Sequence, residues 1–388
     1  CLVGSEMCIR DRNTARFLGT PYSYFLKQEV YGNNSVLLES INEIGVLANA
    51  MVNLQLNDSD KRGMNSAFGG DFSATAYYPS ANASHAINAT AAGAGVLDAL
   101  TFDYAINILG ILGSGTDKMI PIGEIFGLRF ELTMDNYTNF TKTIAGAGVT
   151  GCTISDFEFV ANIVELSPEA NALVIAQNPD RIRIRSQTYR QASNTLGSQG
   201  VGLTAGTNDL LVGIRVSSLK SMFLCCSPSD AVENKYAGVN PCLDQGTCYI
   251  IAGQQYPQRT INPSARPSDS FMETQKALGA LGFNVFNGCI NKSAWNVSST
   301  AYNQCAAYNT NTTNIMTKPN QFYLGIDTEV VARKQNLLSG INVNSSPMFF
   351  RAQVGQQLAA VAHTLNFFGY YDVILEIDRA QKNIIAKF

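Results

Sequence analysis

Between residues 128 and 135 apolar and polar side chains alternate one for one. Leu128, Phe130, Leu132 and Met134 face one way, and Arg129, Glu131, Thr133 and Asp135 the other. A period of two predicts an extended strand with one apolar and one wet face. Pro121, just upstream, restricts its stretch of backbone to a strand start, an edge or a loop. Earlier still, Phe102, Tyr104, Ile106 and Ile108 alternate against Asp103, Ala105 and Asn107 and close on Gly110, Gly113 and Gly115. The pattern therefore predicts two half-buried strands joined by a glycine-rich turn.

The rest of the chain carries the same kinds of element. An aromatic, strand-like run covers 22–31, and a helix is expected from an N-cap at Asn34 or Ser35. Its stripe of Leu37, Ile41, Ile44, Ala48 and Met51 runs to about Leu54. Residues 57–95 form a long polar stretch without a period, of the kind that is usually functional or interface-forming. A strand is predicted over 154–166. Ser167 and Pro168 then open a short helix, as N-cap and first helical residue, that ends near Gln177 and links two domains. In the second half, Ile182 and Ile184 alternate with Arg181, Arg183 and Arg185, and 210–226 reads as one long buried strand. A short strand follows at 249–252, then a turn-rich segment at 256–263. Ser270 with Glu273 forms a capping box opening a helix that ends at Gly282. A second polar stretch covers 284–319, and 349–388 holds three strands, the last two joined by a turn over 378–383. Each half thus runs strand, helix, long loop, paired strands. Two similar β-domains in tandem are predicted.

Composition narrows the function classes. The 388 residues are 46% hydrophobic and 15% charged, enough apolar material for a sizeable core. A net charge of −3 advertises no field for nucleic acid. No apolar run reaches the roughly 20 residues of a membrane-spanning helix. Residues 1–12 fit no neighbouring pattern and read as a translated sequencing-adaptor run, so they are set aside from fold reasoning. Seven further cysteines, Cys152, Cys225, Cys226, Cys242, Cys248, Cys289 and Cys305, are odd in number and irregular in spacing. That favours buried or free thiols over a disulfide framework. The sequons at Asn82, Asn136, Asn139, Asn291 and Asn311 arise readily by chance in a chain this rich in Asn and Thr.

Candidate chemistry is sparse. Gly146, Gly148 and Gly151 match the dinucleotide fingerprint, but a strand follows where a helix N-terminus is needed. Residues 110–118 resemble a phosphate loop loosely, with Thr116 where the lysine belongs, and read as a turn. The two histidines, His85 and His363, lie far apart, and His363 sits in an apolar run as a core residue would. No Cys/His spacing suits zinc, and no nucleophile has a base beside it. The Arg181, Arg183 and Arg185 face reads as a solvated strand face before a nucleic-acid contact. No catalytic, cofactor-binding or metal-binding residue is assigned.

The order of segments nevertheless resembles a known family. Residues 25–56, 101–135 and 154–170, followed by 210–224, 254–279, 337–355 and 370–388, are similar in sequence order to segments of the double jelly-roll major capsid proteins. That family spans polinton-like viruses, virophages, adenovirus hexon and giant-virus capsids. The resemblance implies an all-β fold of two tandem jelly-roll (β-sandwich) domains with a few short helices. The first roll would be 13–177 with its linker helix, lacking early strands, and the second 178–388. It further implies a structural, non-enzymatic major capsid protein in the virion of an icosahedral DNA virus, assembled inside the host cell. Its partners would be itself as a homotrimer, neighbouring capsomers and a penton or minor capsid protein, with no cofactor, small-molecule substrate or specific nucleic-acid site. The long polar stretches would be tower or inter-subunit surfaces. The rival reading is a carbohydrate-binding or adhesin-like jelly roll, which paired disulfides and a calcium-type carboxylate cluster would favour.

Overall fold

The structure, a computed structural model, describes residues 2–3, 6–9, 14–17, 20–55, 105–106, 108–113, 119–145, 152–199, 202–203, 206–229, 235–236, 238, 240–241, 243, 245–263, 265–278, 322–329, 339–354 and 362–388. Both long polar stretches, 57–95 and 284–319, therefore lie outside the described residues.

Three short strands, β1 (Leu2–Val3), β2 (Glu6–Ile9) and β3 (Thr14–Phe17), precede a 3-10 turn at Pro21–Tyr24 and strand β4 (Phe25–Tyr31). β4 pairs antiparallel with β5 (Leu37–Asn42), in a register running from Lys27↔Asn42 to Tyr31↔Leu37. Helix α1 (Ile44–Gln55) follows. The helix expected from Asn34 or Ser35 thus starts only at Ile44. Leu37 and Ile41 belong to a hairpin strand, and Glu43, at φ +52, breaks the backbone between strand and helix. Their helical spacing to Ile44 is accidental, and cross-strand pairing overrides it. α1 carries buried side chains from Ile44 through Leu54, more than one face of a helix presents.

Next come β6 (Ala105–Ile106), β7 (Arg129–Met134), the one-turn helix α2 (Tyr137–Phe140), β8 (Thr141–Ala145), β9 (Cys152–Ser155) and β10 (Glu158–Phe159). β7 is the alternating strand of the sequence pattern. The strand expected over 154–166 is broken: Asp156 takes φ +50, β10 is two residues long, and 160–166 has no strand partner among the described residues. Helix α3 (Pro168–Gln177) begins as expected, with Ser167 Oγ accepting from the Ala170 amide at 3.2 Å and Pro168 in the first turn.

The second half holds β11 (Arg181–Leu196), the small pair β12 (Ser198–Gln199) and β13 (Gly202–Leu203), β14 (Gly206–Val212), β15 (Leu219–Pro228), β16 (Gly246–Ile251) and β17 (Gln254–Ile261). Helix α4 (Pro267–Ala277), β18 (Tyr323–Asp327), β19 (Met348–Val354), β20 (His363–Asp378) and β21 (Asn383–Lys387) complete it. Three expectations are corrected. The run 210–226 is two strands in different sheets, with 213–218 carrying the chain across. The segment 256–263 is mostly strand β17, where Pro257 is tolerated because β17 lies at a sheet edge. α4 starts at Pro267 and ends at Ala277. Ser270 lies inside it and donates back to the Arg266 carbonyl at 3.4 Å instead of capping.

Sheet order identifies the topology. One sheet runs β11-β20-β15-β18, with β21 also on β20, and the other runs β14-β19-β16-β17. Setting aside the small β12/β13 pair and β21, the main strands taken in chain order are paired as first, eighth, third, sixth and as second, seventh, fourth, fifth. That is a jelly roll. The first half repeats part of it. The order β5-β4-β7 matches β17-β16-β19, and each hairpin is followed by a helix, α1 or α4. β8, β9 and β10 run antiparallel along β3, β2 and β1, from Phe17↔Thr141 through Ile9↔Cys152 to Leu2↔Phe159, and β1 also pairs with β6. β1, β2 and β3, the first two of which lie in the run set aside as foreign, therefore occupy the third-strand position. Counterparts of the first and second strands are not among the described residues.

The second roll is held by apolar contacts between its sheets. Tyr249 on β16 and Phe350 on β19 meet Phe367 on β20, with ring centroids 6.2 and 5.4 Å from that of Phe367 and edge-on geometries. All three are fully buried. Phe367→Ala should lower unfolding free energy by about 3–5 kcal/mol, the range for a buried aromatic lost to a cavity. Chemical denaturation measures this, and a loss below about 1 kcal/mol would place Phe367 outside the core.

Candidate functional site

The most deeply buried acid of the first half, Glu39 on β5, joins the two halves. Its carboxylate accepts from Gln28 Nε2 on β4 at 2.9 Å, from the Ile111 amide at 2.6 Å and from the Thr188 hydroxyl on β11. Burial pushes its pKa up despite these donors, the hydrogen bonds from Thr188, Ile111 and Gln28 opposing the shift. The Ile111 amide belongs to the glycine-rich turn that loosely resembles a phosphate loop. That turn does receive a carboxyl group, but it is the chain's own Glu39. Gly110 takes φ +81, and a Cβ there would sit 2.1 Å from the Glu39 carboxylate, so glycine is required on both counts. Around this node Tyr189 of β11 reaches Met51 of α1, and Tyr236 donates to the Ser23 carbonyl at 3.0 Å. Lys235 bridges Asp135 at 2.6 Å and Glu43 at 2.8 Å.

The other residues singled out by sequence have structural explanations. Arg181 and Arg183 both bind Glu376 across the β11/β20 ladder, at 2.7 and 3.1 Å, and Lys387 joins at 2.9 Å. Lys387's hydrogen bond, with those of the arginines and against the cost of desolvation, holds the Glu376 carboxyl down at about 2. This arginine face is tied to its own sheet, and the open cleft beside it is lined by Asp180 and Asp378 as well as the arginines. His363 is fully buried at the start of β20. Cys225, Cys226 and Cys248 are buried free thiols, and burial raises the pKa of each. Asn136 caps α2 and Asn139 donates to Asp135 at 2.6 Å. Gly146 to Gly151, His85, Cys242, Cys289, Cys305, Asn82, Asn291 and Asn311 lie outside the described residues. Among the described residues no group of three His, Cys, Asp or Glu side chains could hold a metal, and no helix is long and apolar enough to cross a membrane.

What sequence reasoning missed is a surface. From Asp156 to Glu169 every residue is exposed, and the segment is far from polar. Phe157 and Phe159 are half exposed, each with its ring against one of the first half, Phe25 and Phe130, while Ile163, at 74% exposure, and Leu166 stand further out and Leu173 continues the strip onto α3. Contiguous exposed apolar surface of this kind marks a site of association. The sequence predicts a strand over 154–166, but after the turn at Asp156 only Glu158 and Phe159 are paired, with β1, and 160–166 has no strand partner among the described residues.

Comparison with solved structures places the architecture. This chain is similar to the PBCV-1 virus capsid (TM-score 0.52, 9% identity, 98% of this chain and 88% of that one). It is similar to the mavirus major capsid protein (0.51, 11%, 100% and 82%) and to the Faustovirus major capsid protein (0.52, 10%, 93% and 73%). The fold is that of the double jelly-roll capsid proteins. No protein-family model and no curated protein matches the sequence.

Glu39 gives the joint a pH signature. Because its folded pKa is raised, its favourable contribution is complete below the ordinary carboxylate value of 4.5 and is lost as pH rises through the folded value. The stability of the protein relative to Glu39→Gln should therefore fall as pH rises above the ordinary carboxylate value of 4.5 in paired denaturation curves. A difference that does not change with pH would contradict the buried position of this carboxyl.

Proposed function

We propose that this chain is the major capsid protein of an icosahedral DNA virus, a structural protein and not an enzyme. The observation that carries this reading is the jelly-roll strand order, complete in the second half and repeated in part in the first. The similar solved structures are named as capsids or major capsid proteins. The first roll ends with its linker helix at 177 and takes in β1 and β2 ahead of residue 13, and 178–388 form the second roll. Three chains bring six rolls into one pseudo-hexagonal capsomer, and capsomers tile the shell beside a penton or minor capsid protein. The protein is then a component of the virion, assembled inside the host cell.

A shell is built from many copies held by many modest contacts, so each subunit needs surface that is apolar yet tolerated in the free chain. The exposed strip on 157–173 fits that need, and the copy that covers it in this reading is a second copy of the same chain. The charged groups at the joint and on β20 are spent on internal pairing, which fits a structural role. The glycan-binding alternative draws support from disulfides and a carboxylate cluster, and no described residue supplies either.

The test is sedimentation of the purified chain and of the double variant Ile163→Asp, Leu166→Glu. The parent should sediment as a trimer. The variant should sediment as a monomer, with an unfolding free energy within about 0.5 kcal/mol of the parent because both side chains are exposed. A monomeric parent would overturn the capsomer reading, and a trimeric variant would place the contact elsewhere.

A further inference from the structure

Lys220 has an unusual position for a lysine. It lies at a register irregularity in β15, where Leu219 pairs with Tyr371 and Ser221 already pairs with Tyr370, so Lys220 is the extra residue of a β-bulge. Bulges re-aim side chains and recur beside reactive sites. Here the bulge sends the lysine inward, leaving its side chain 3% exposed. Its Nζ sits 2.9 Å from Glu329 Oε1 and 3.5 Å from Oδ1 of Asp372, a fully buried residue on the neighbouring strand β20.

The Asp372 carboxyl is held on both oxygens. Ser218 Oγ donates to Oδ2 at 2.7 Å and Gln187 Nε2 to Oδ1 at 3.1 Å. Gln187 is itself fixed by the Tyr370 hydroxyl. Glu329 is oriented by Ser339 Oγ at 2.9 Å, and the Lys220 carbonyl accepts from the Thr328 amide at 2.8 Å. A cavity of ≈ 80 Å³ adjoins the cluster, lined by Lys220, Glu329, Gln187 and Tyr370 among others. An amine, a carboxyl carbon flanked by donors and a second carboxylate touching the amine therefore meet beside a space large enough for a water, which Lys220 and Glu329 line.

We propose that Lys220 and Asp372 condense to a side-chain amide, an intramolecular isopeptide bond that ties β15 to β20, with Glu329 as the proton carrier. Glu329 takes a proton from the Lys220 ammonium, and the freed lone pair attacks Asp372 Cγ. Ser218 and Gln187 stabilise the charge that builds on the carboxyl oxygens. The C–N bond forms and one C–O bond breaks. The ammonium gives up two of its three protons, and these leave with one Asp372 oxygen as water into the cavity. Nothing is oxidised or reduced, and no co-reactant is needed. Fixed proximity supplies the driving advantage, because well-oriented intramolecular reactions reach effective molarities on the order of 10⁵–10⁸ M. An ordinary buried ion pair is the competing reading, and it leaves the covalent mass unchanged.

The experiment is intact mass spectrometry of the soluble, full chain under denaturing conditions, followed by peptide mapping. The expected result is a mass lower by one water, with a branched peptide joining the Lys220 and Asp372 segments. Lys220→Arg should restore the full mass. Asp372→Asn should lose one ammonia instead of one water, which a merely structural pair would not do. Glu329→Gln should accumulate uncrosslinked chain, and full crosslinking in that variant would remove Glu329 from the reaction. The full, unreduced mass in the parent chain overturns the proposal, as does a water loss that maps anywhere else.

Discussion

The second roll depends on β20 being covered along both edges. On one side it pairs with β11 through sixteen residues, from Arg181↔Asp378 to Leu196↔His363, and on the other with β15 and then β21. A strand in that position cannot show free backbone groups to solvent and need not show side chains either, so almost every residue on it meets the protein. Phe367 enters the sandwich core, Asp372 faces Lys220, and Glu376 gathers two arginines and Lys387. At Gly369 a Cβ would come within 3.0 Å of Leu219 Cδ1 and 3.2 Å of Ile214, a close approach of the strand to its neighbours. Strand order, packing and charge pairing in this half all hang on the same sixteen residues.

The joint between the halves rests on a different constraint. Glu39 is a buried acid, and a buried acid is tolerated only when its oxygens are satisfied. Gln28 and Ile111 satisfy them from the first half and Thr188 from the second, so moving the halves apart would strip the carboxyl of its Thr188 hydrogen bond. Gly110 makes room for it. Polar groups of this kind set how two apolar surfaces sit against each other more than they add to stability.

Elements with an unambiguous local signal were legible from the residues alone. β7 followed its period of two, α3 followed Ser167 and Pro168, and the turn between β20 and β21 followed its polar residues. The misreadings have physical causes. Leu37 and Ile41 had helical spacing to Ile44 by accident: Leu37 is exposed on the hairpin strand, and of the three only Ile41 and Ile44 are buried. The run 210–226 looked continuous because β14 and β15 both feed one core from opposite sheets. The phosphate-loop likeness had a real basis, a carboxyl group at a glycine turn, but a group from 72 residues away in the chain lies beyond local pattern. The exposed strip at 157–173 was hidden for the opposite reason. Its hydrophobicity is normal for a strand, and only the want of a strand partner beyond Phe159 among the described residues marks it as a surface. Lys220 carried no signal at all, because a β-bulge depends on pairing register.

Shell architecture, the two rolls and the apolar strip form one account: a subunit whose internal chemistry is spent on holding its sheets and whose exposed apolar surface is kept for its own copies. Electron microscopy of the purified chain tests it most directly. The account predicts particles with threefold symmetry and six lobes in a pseudo-hexagonal outline. A field of separate two-lobed particles, at concentrations where capsomers would form, would contradict it.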